Sequence, residues 1–338
     1  MITISIIITT INKPNKCLKS IAKKIDKNFN LIIIGDRKSP KKFNLKNANF
    51  YSIIDQKKLN FKLNDKLKYD HYSRKNLGYL IAYRDKSEYI YETDDDNFPL
   101  RSFFKKRNLK ISAYKTQNRM FINIYKYFSN QNIWPRGFPL RYIKDTVQDF
   151  SQLKKKLINS PIQQFLANKD PDVDAIFRLT NETKDFKKSN HKFFLPKNSY
   201  CPFNSQNTVW HKSVFPLMYL PSMCSFRLTD IYRSYVAQRI LHECNLYLSF
   251  HPPTVNQVRN KHDLIDDFKN EIDGYLRIDQ MAKGLHKLKL KPGLFNISYN
   301  LIKCYEFLVK DGFVLKSELS LINSWILDIK KIDQNNLN

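Results

Sequence analysis

Apolar residues change their period along this chain, and the period names the elements. From Thr3 to Thr10 isoleucine fills both alternating sets of positions, as in a strand covered by helices on both faces. Cys17 to Ile25 reads as a helix. A second apolar run, Leu31 to Ile34, ends at Gly35-Asp36, and Phe50 to Ile54 reads as a third strand ending at Asp55. Asn76 to Arg84 carries a helical apolar face in Leu77, Leu80, Ile81 and Ala82, and the alternating aromatic and β-branched run Tyr89 to Thr93 predicts a strand. Strands alternating with helices predict an α/β fold with a mostly parallel sheet, and such sheets bind ligands beyond the carboxyl ends of their strands. Thr9, Thr10, Asp36, Asp55 and Asp94 to Asp96 all fall at such ends, so separate strands would deliver polar groups to one rim.

Further along, Asn132 to Arg141 holds two prolines, a glycine and two aromatics, which reads as a stiff ordered loop presenting Arg136 and Arg141. Ser160 to Leu166 reads as the start of a helix, Asp170 to Asp174 as a turn and Ala175 to Leu179 as a strand. The acids of that turn lack the glycine and terminal glutamate of a calcium loop. Tyr232 to Cys244 predicts a helix with Thr229 as its N-cap and Asp230 in its first turn, where a carboxylate suits the helix dipole. The last fifty residues are helical in pattern and split at Asp311-Gly312. The division expected is a domain over 1–275 followed by a helical extension over 276–338.

Composition narrows the class. At 338 residues, with 42% apolar and 14% aromatic residues, the chain has ample material for a packed core. Its net charge of +27 could point to nucleic acid, but the lysines are scattered among many Ile and Asn, without a basic tail or a nucleic-acid motif. No specific nucleic-acid partner is expected, and the basic surface suits anionic sugar nucleotides or an anionic membrane face instead. The five cysteines Cys17, Cys201, Cys224, Cys244 and Cys304 form no C-x-x-C pair, which favours reduced thiols. No run approaches a membrane span of about 20 apolar residues. A cytoplasmic location is expected, with peripheral association at the inner membrane face compatible with the charge.

The chemistry concentrates in Thr93-Asp94-Asp95-Asp96-Asn97. On an extended backbone Asp94 and Asp96 point to one side and Asp95 to the other. At an effective dielectric of about 20, two carboxylates about 4 Å apart repel by roughly 4 kcal/mol, which a cation relieves. Mn²⁺ or Mg²⁺ held by one or two carboxylates completes its shell with substrate phosphate oxygens. A solvated acidic turn is the alternative.

Several ordered stretches together resemble the STELLO glycosyltransferase family: Asn76 to Ala82, Ile90 to Asn97, Trp134 to Leu140, Asp170 to Leu179, Pro202 to Thr208, Ser225 to Arg227 with Asp230 to Arg233, and Pro252 to Val255 with Gln257 to Asn260. The chain is more distantly similar to the reversibly glycosylated polypeptides, or UDP-arabinopyranose mutases. The resemblance covers roughly residues 2 to 270. It implies a GT-A fold, a Rossmann-like nucleotide-diphospho-sugar transferase sheet, and an enzyme that moves a sugar from a nucleotide donor, such as a UDP-sugar, to a glycan, lipid-linked or protein acceptor.

Residue by residue, the resemblance implies that Asp94 and Asp96 hold the metal, with Asp95 close to the sugar or ribose. It places Thr9, Thr10 and Asp36 at the nucleoside, and Arg74, Lys75, Asn76 and Gly78 where a basic loop and helix start approach base or phosphates. Asp230 matches the acid that serves as base in inverting enzymes of this fold, and His262 is the candidate histidine ligand to the metal, with His251 as its rival. Arg136, with Arg74 and Lys75, would neutralise the remaining diphosphate charge. Two other functions stay open at this point: a non-catalytic sugar-nucleotide-binding scaffold that assists another synthase, and a basic nucleic-acid-binding protein.

Overall fold

The computed structural model describes residues 3–260 and 263–337. In chain order its elements are β1 (Ile4–Thr9), α1 (Lys16–Lys24), β2 (Phe29–Ile34), β3 (Asn49–Tyr51), α2 (Ile53–Lys57), α3 (Lys75–Arg84), β4 (Tyr89–Thr93), β5 (Asn97–Pro99), β6 (Lys110–Lys115), β7 (Lys155–Asn159), β8 (Ile162–Asn168), α4 (Ala175–Thr180), β9 (Phe193–Phe194), β10 (Asn207–His211), α5 (Thr229–Glu243), β11 (Leu248–Gln257), α6 (Leu264–Lys287), α7 (Ile297–Lys310) and α8 (Glu318–Leu337). Among the described residues the strands form one sheet in the order β3-β2-β1-β4-β10-β8-β11-β9-β6-β7, with β5 paired to β11.

The isoleucine-rich start behaves as its period demands. Ile7 enters the large core cluster on one face of the sheet while Ile4, Ile6 and Ile8 enter the smaller cluster on the other, beside Cys17, Leu18 and Ile21 of α1. Helix α3 closes the first face. A Cβ at Gly78 would lie 2.5 Å from Ile7 Cγ2, so only glycine lets α3 settle this close to β1. The C-terminal helices belong to the same packing: Trp325 and Ile322 of α8 share the large cluster with Leu77 and Leu80, and Asp328 accepts the backbone N–H groups of Lys62 and Leu63. Position 275 lies inside the continuous α6.

Several expectations change. The sheet is parallel across β3-β2-β1-β4, but β10 runs antiparallel to both β4 and β8, and beyond it parallel pairs (β8-β11, β9-β6) alternate with antiparallel ones, so the whole is mixed. Ile162 to Leu166 is strand and not helix. Wedged between β10 and β11, it is buried on both faces, and a run buried on both faces carries no period that tells the two apart. Ala175 to Leu179 is helix and not strand, because Asp174 caps it by accepting the N–H of Phe177 at 2.8 Å. The third strand stops at Tyr51. A capping box between Ser52 and Asp55 turns the chain into α2 and removes Asp55 from the rim. Leu228 and not Thr229 precedes α5 as its N-cap.

The five cysteines are free thiols, and among the described residues no helix is long and apolar enough to cross a membrane.

Candidate active site

A cleft of about 570 Å³ opens at the carboxyl ends of β1, β2 and β4, within the size range of small-molecule sites. Thr9, Thr10, Asp36, Asp94, Asp95 and Asp96 all line it, so the rim read from the strand ends exists, apart from Asp55. The loop before α3, the turn before β10, the start of α5 and the end of β11 form the other walls.

The three aspartates are held differently. Asp94 is half-open, at 27% side-chain exposure. Its Oδ1 accepts from Lys75 Nζ at 2.9 Å and from Tyr72 Oη at 2.7 Å. Asp95 points to the other side, where its Oδ2 accepts from the Thr10 hydroxyl and from Asn12 Nδ2 at 3.0 Å. Asn15 caps α1 and also donates to the Asp95 carbonyl at 2.7 Å, so the helix start fixes the acidic turn. Asp96 accepts from Gln257 Nε2 at 3.2 Å through Oδ2, while its Oδ1 is buried and among the described residues has no hydrogen-bond partner. Burial, then the Asp94 charge, pushes the Asp96 carboxyl up to about 6.

That unpartnered anionic oxygen is the observation that bears on a divalent cation. Among the described residues no three His, Cys, Asp or Glu side chains gather as a metal-ligand group. A cation that keeps several waters and binds substrate phosphates needs only one or two carboxylates. Asp94 and Asp96 both line the cleft, and Asp96 has an oxygen without a hydrogen-bond partner among the described residues, which fits that requirement. His262 lies outside the described residues. His251 does not line the cleft: it is buried, packed at a tilt on Phe165 with ring centroids 4.4 Å apart, and bonded to Ser249 at 2.8 Å, which removes it as the rival ligand.

The cations expected at the phosphates are mostly internal. Arg74 is 1% exposed, and its guanidinium donates to Gln56 Oε1 and to Asn64 Oδ1 at 2.7 Å. It lines the cleft, as expected, but these bonds turn its guanidinium to bracing the loop. Lys75 is fully buried, and its ammonium is taken by Asp94, Tyr72 and the Thr93 carbonyl. Asn76 binds the backbone of Leu220 through both of its amide atoms, and Gly78 serves the α3–β1 contact; neither lines the cleft.

Arg136 is the largest departure. Its Nε and Nη2 donate to Asp172 at 2.9 and 3.0 Å, Nη1 and Nη2 donate to Asp230 at 3.1 and 3.0 Å, and Nη1 also donates to the Arg227 carbonyl. A guanidinium has five N–H donors, and these bonds engage all of them. It is a clamp between two carboxylates and has no donor left for a diphosphate. Gly137, at φ +78°, follows in a conformation that side chains resist, with Ile231 packed where a Cβ would stand.

Asp230 lines the cleft but is nearly enclosed, at 6% exposure. Burial alone would raise its carboxyl. The Arg136 guanidinium, with Arg233 and the Ser205 N–H, more than reverses this and holds the group ionised below the usual carboxylate range. Its Oδ2 also accepts the Ser205 hydroxyl at 3.1 Å. Arg233 is itself anchored two-pronged on the fully buried Glu92, which also accepts from Tyr79 and Trp210, so β4, α3, α5 and β10 meet on one ion pair behind the site.

Several lining residues had no role assigned from the sequence. Tyr72 links Lys75, Asp94 and Ser205. Arg227 and Arg259 reach the cleft while pairing with Glu271 and Asp267, and among the described residues the Arg259 Nε–H has no hydrogen-bond partner. Ser205, Arg227, Gln257 and Arg259 all stand in stretches that carried the family resemblance, which was the available signal. Nothing in the sequence marked Tyr72.

Comparison with known proteins agrees with the chemistry of the cleft. The model of the family described as STELLO glycosyltransferases matches residues 227–336. Over 345 residues the chain is 28% identical to "Probable glycosyltransferase STELLO2" of Arabidopsis thaliana, covering 96% of this chain and 44% of that protein. The chain is similar to the STELLO glycosyltransferases. "Probable glycosyltransferase STELLO1" of the same plant is also 28% identical, with the same coverage. The chain thus spans less than half the length of the curated relatives it matches, and the alignment takes in nearly all of it. The STELLO match begins at Arg227, so it covers the Asp230 wall and the C-terminal helices, while the similarity over 96% of this chain takes in the aspartates that follow β4.

Proposed function

We propose that this chain is a glycosyltransferase of GT-A type, using a nucleotide-diphospho-sugar such as a UDP-sugar with Mn²⁺ or Mg²⁺. The observation that carries the reading is that Asp94 and Asp96 both line the cleft, just past the carboxyl end of β4, with a buried Asp96 Oδ1 that has no hydrogen-bond partner among the described residues. When bound there, the cation supplies Lewis-acid stabilisation of the charge that develops on the departing diphosphate.

The chain's own groups do the rest. Thr9, Asp36 and the loop of His71 form the end of the cleft suited to a nucleoside, where Asp36 is fixed by the N–H groups of Arg37 and His71. Lys75 and Tyr72 orient Asp94 and offset its charge, so the acidic turn is set before any ligand arrives. With Arg74, Lys75 and Arg136 engaged internally, the phosphate-facing cations in this reading are Arg227, Arg259 and Lys38.

Asp230 is the carboxylate to which we assign the acceptor's proton. The Ser205 hydroxyl on its Oδ2 marks the direction from which an acceptor hydroxyl can replace that bond. Arg136 weakens Asp230 as a base, which suits a reaction whose oxocarbenium-like transition state moves the proton late. Donor hydrolysis with Mn²⁺, measured for the wild type and for Asp94→Asn and Asp96→Asn, tests the reading: turnover is expected only in the wild type, and equal turnover in all three contradicts it. Donor binding without any turnover would instead favour the sugar-nucleotide-binding scaffold.

A further inference from the structure

Away from the cleft, the connection between α6 and α7 carries an unusual tip. Phe295 is 101% exposed and Leu294 47% exposed, next to each other at its apex, with Tyr299 40% exposed on the first turn of α7. An exposed phenyl ring is ordinary on a loose loop, but this loop is held firmly at its base. Arg239 donates to the carbonyls of Leu285 and Leu288 at 2.9 and 2.7 Å, the Gly293 N–H donates to the Glu243 carbonyl at 2.9 Å, and Asn300 bonds both backbone groups of Lys291. Gly293 sits at φ +89° with nothing within 4 Å of a would-be Cβ, so the chain turns outward into open space. The pair of apolar side chains is therefore displayed on a rigid mount.

Along the sequence the charge flanking the tip has one sign. From Gln280 to Tyr305 the sequence contains five lysines and no aspartate or glutamate. Lys283 and Lys303 are neutralised by Asp279 and Glu306, at 3.4 and 2.7 Å. Lys287 and Lys289 are exposed, and Lys291, also exposed, lies over the Tyr299 ring at 4.3 Å; among the described residues none of the three has an ion-pair partner. Apolar side chains at an apex with unpaired lysines behind them match an anionic bilayer, in which rings enter the headgroup boundary while ammonium groups stay at the phosphates. A protein partner would need a complementary acidic groove, for which no observation speaks.

We propose that the Leu294-Phe295 tip, with Lys287, Lys289 and Lys291, is a peripheral membrane-docking element that seats the protein on an anionic lipid surface. It is independent of the transferase reading, because none of these residues lines the cleft. The test is co-sedimentation of the full chain with vesicles of phosphatidylcholine alone or with about 30 mol% phosphatidylglycerol, at low and high salt. Binding to the anionic vesicles only, weakened by salt, is expected. Phe295→Ser should lower the partition coefficient at least about tenfold, and each Lys→Gln change at 287, 289 or 291 about fivefold. Phe295→Trp should show a blue shift of its emission with the same vesicles. These surface changes should leave donor hydrolysis unaltered, so a failed transferase test and a failed docking test remain distinct. The proposal is overturned by no binding to anionic vesicles, by equal binding of all variants, or by a dimer that Phe295→Ser dissolves, which would give the tip to a second copy of the chain.

Discussion

The clamp of Arg136 gives the sharpest stability prediction. In Arg136→Met the packing volume is roughly kept while Asp172 and Asp230, at 10% and 8% side-chain exposure, lose the cation that both share. Removing one partner of a buried pair costs about 3–5 kcal/mol, because a charge is left in a poorly solvated place. For a chain of this size that corresponds to a fall in Tm on the order of 5–10 °C. The pH dependence fixes the cause. In the wild type, Asp230 is held below its unfolded value, so its contribution is present above that value and is lost as pH falls through the lower folded one. Without Arg136 burial dominates and the Asp230 carboxyl titrates above its unfolded value, so the penalty is full at pH 8 and shrinks on acidification. Thermal unfolding of both proteins between about pH 8 and pH 5 should therefore show the two Tm values converging as the carboxyls protonate. An unchanged Tm at pH 8, or a gap that widens in acid, would refute the clamp.

Three further outcomes follow from the same geometry. Asp230→Asn should still bind donor by calorimetry while transfer drops about 10²–10⁴-fold, and undiminished transfer would leave Asp230 as a structural partner of Arg136 alone. Gly78→Ala should cost about 1–3 kcal/mol in denaturant unfolding by pushing α3 from Ile7, with donor affinity unchanged; an affinity loss without a stability loss would restore Gly78 to the phosphates. Arg233→Met should destabilise by about 3–5 kcal/mol through the stranded Glu92 charge, and adding Glu92→Gln should recover part of that; no recovery would mean that the loss came from packing rather than charge.

Much of the site was legible because strand ends are legible. The isoleucine run of β1, the apolar run of β2 and the aromatic alternation of β4 stop where Thr9, Asp36 and Asp94 begin, and a parallel sheet then brings them to one rim. Side-chain partners were not legible in the same way. A sequence shows that Arg74, Lys75 and Arg136 are cationic, but not that Gln56, Thr93 or Asp172 stands close enough to engage them. Buried arginines need acceptors, and those acceptors come from distant segments. β8 and α4 were misread for a related reason. The first is buried on both faces and shows no period, and the second is set by a single capping aspartate at the end of a turn. The outward Phe295 was not marked in the sequence, since its exposure depends on the turn at Gly293, φ +89°.

The central claim is that Asp94 and Asp96 together hold a divalent cation against a nucleotide diphosphate. Isothermal titration of a UDP-sugar into the protein, with and without Mn²⁺, tests it most directly. The account predicts binding that is strengthened at least about tenfold by Mn²⁺ in the wild type, with the metal-dependent gain abolished in Asp94→Asn and in Asp96→Asn; Asp96→Asn keeps its native Tm, while Asp94→Asn lowers it by leaving the buried Lys75 without its carboxylate. Donor binding that ignores Mn²⁺, or a metal-dependent gain that survives both substitutions, would contradict it.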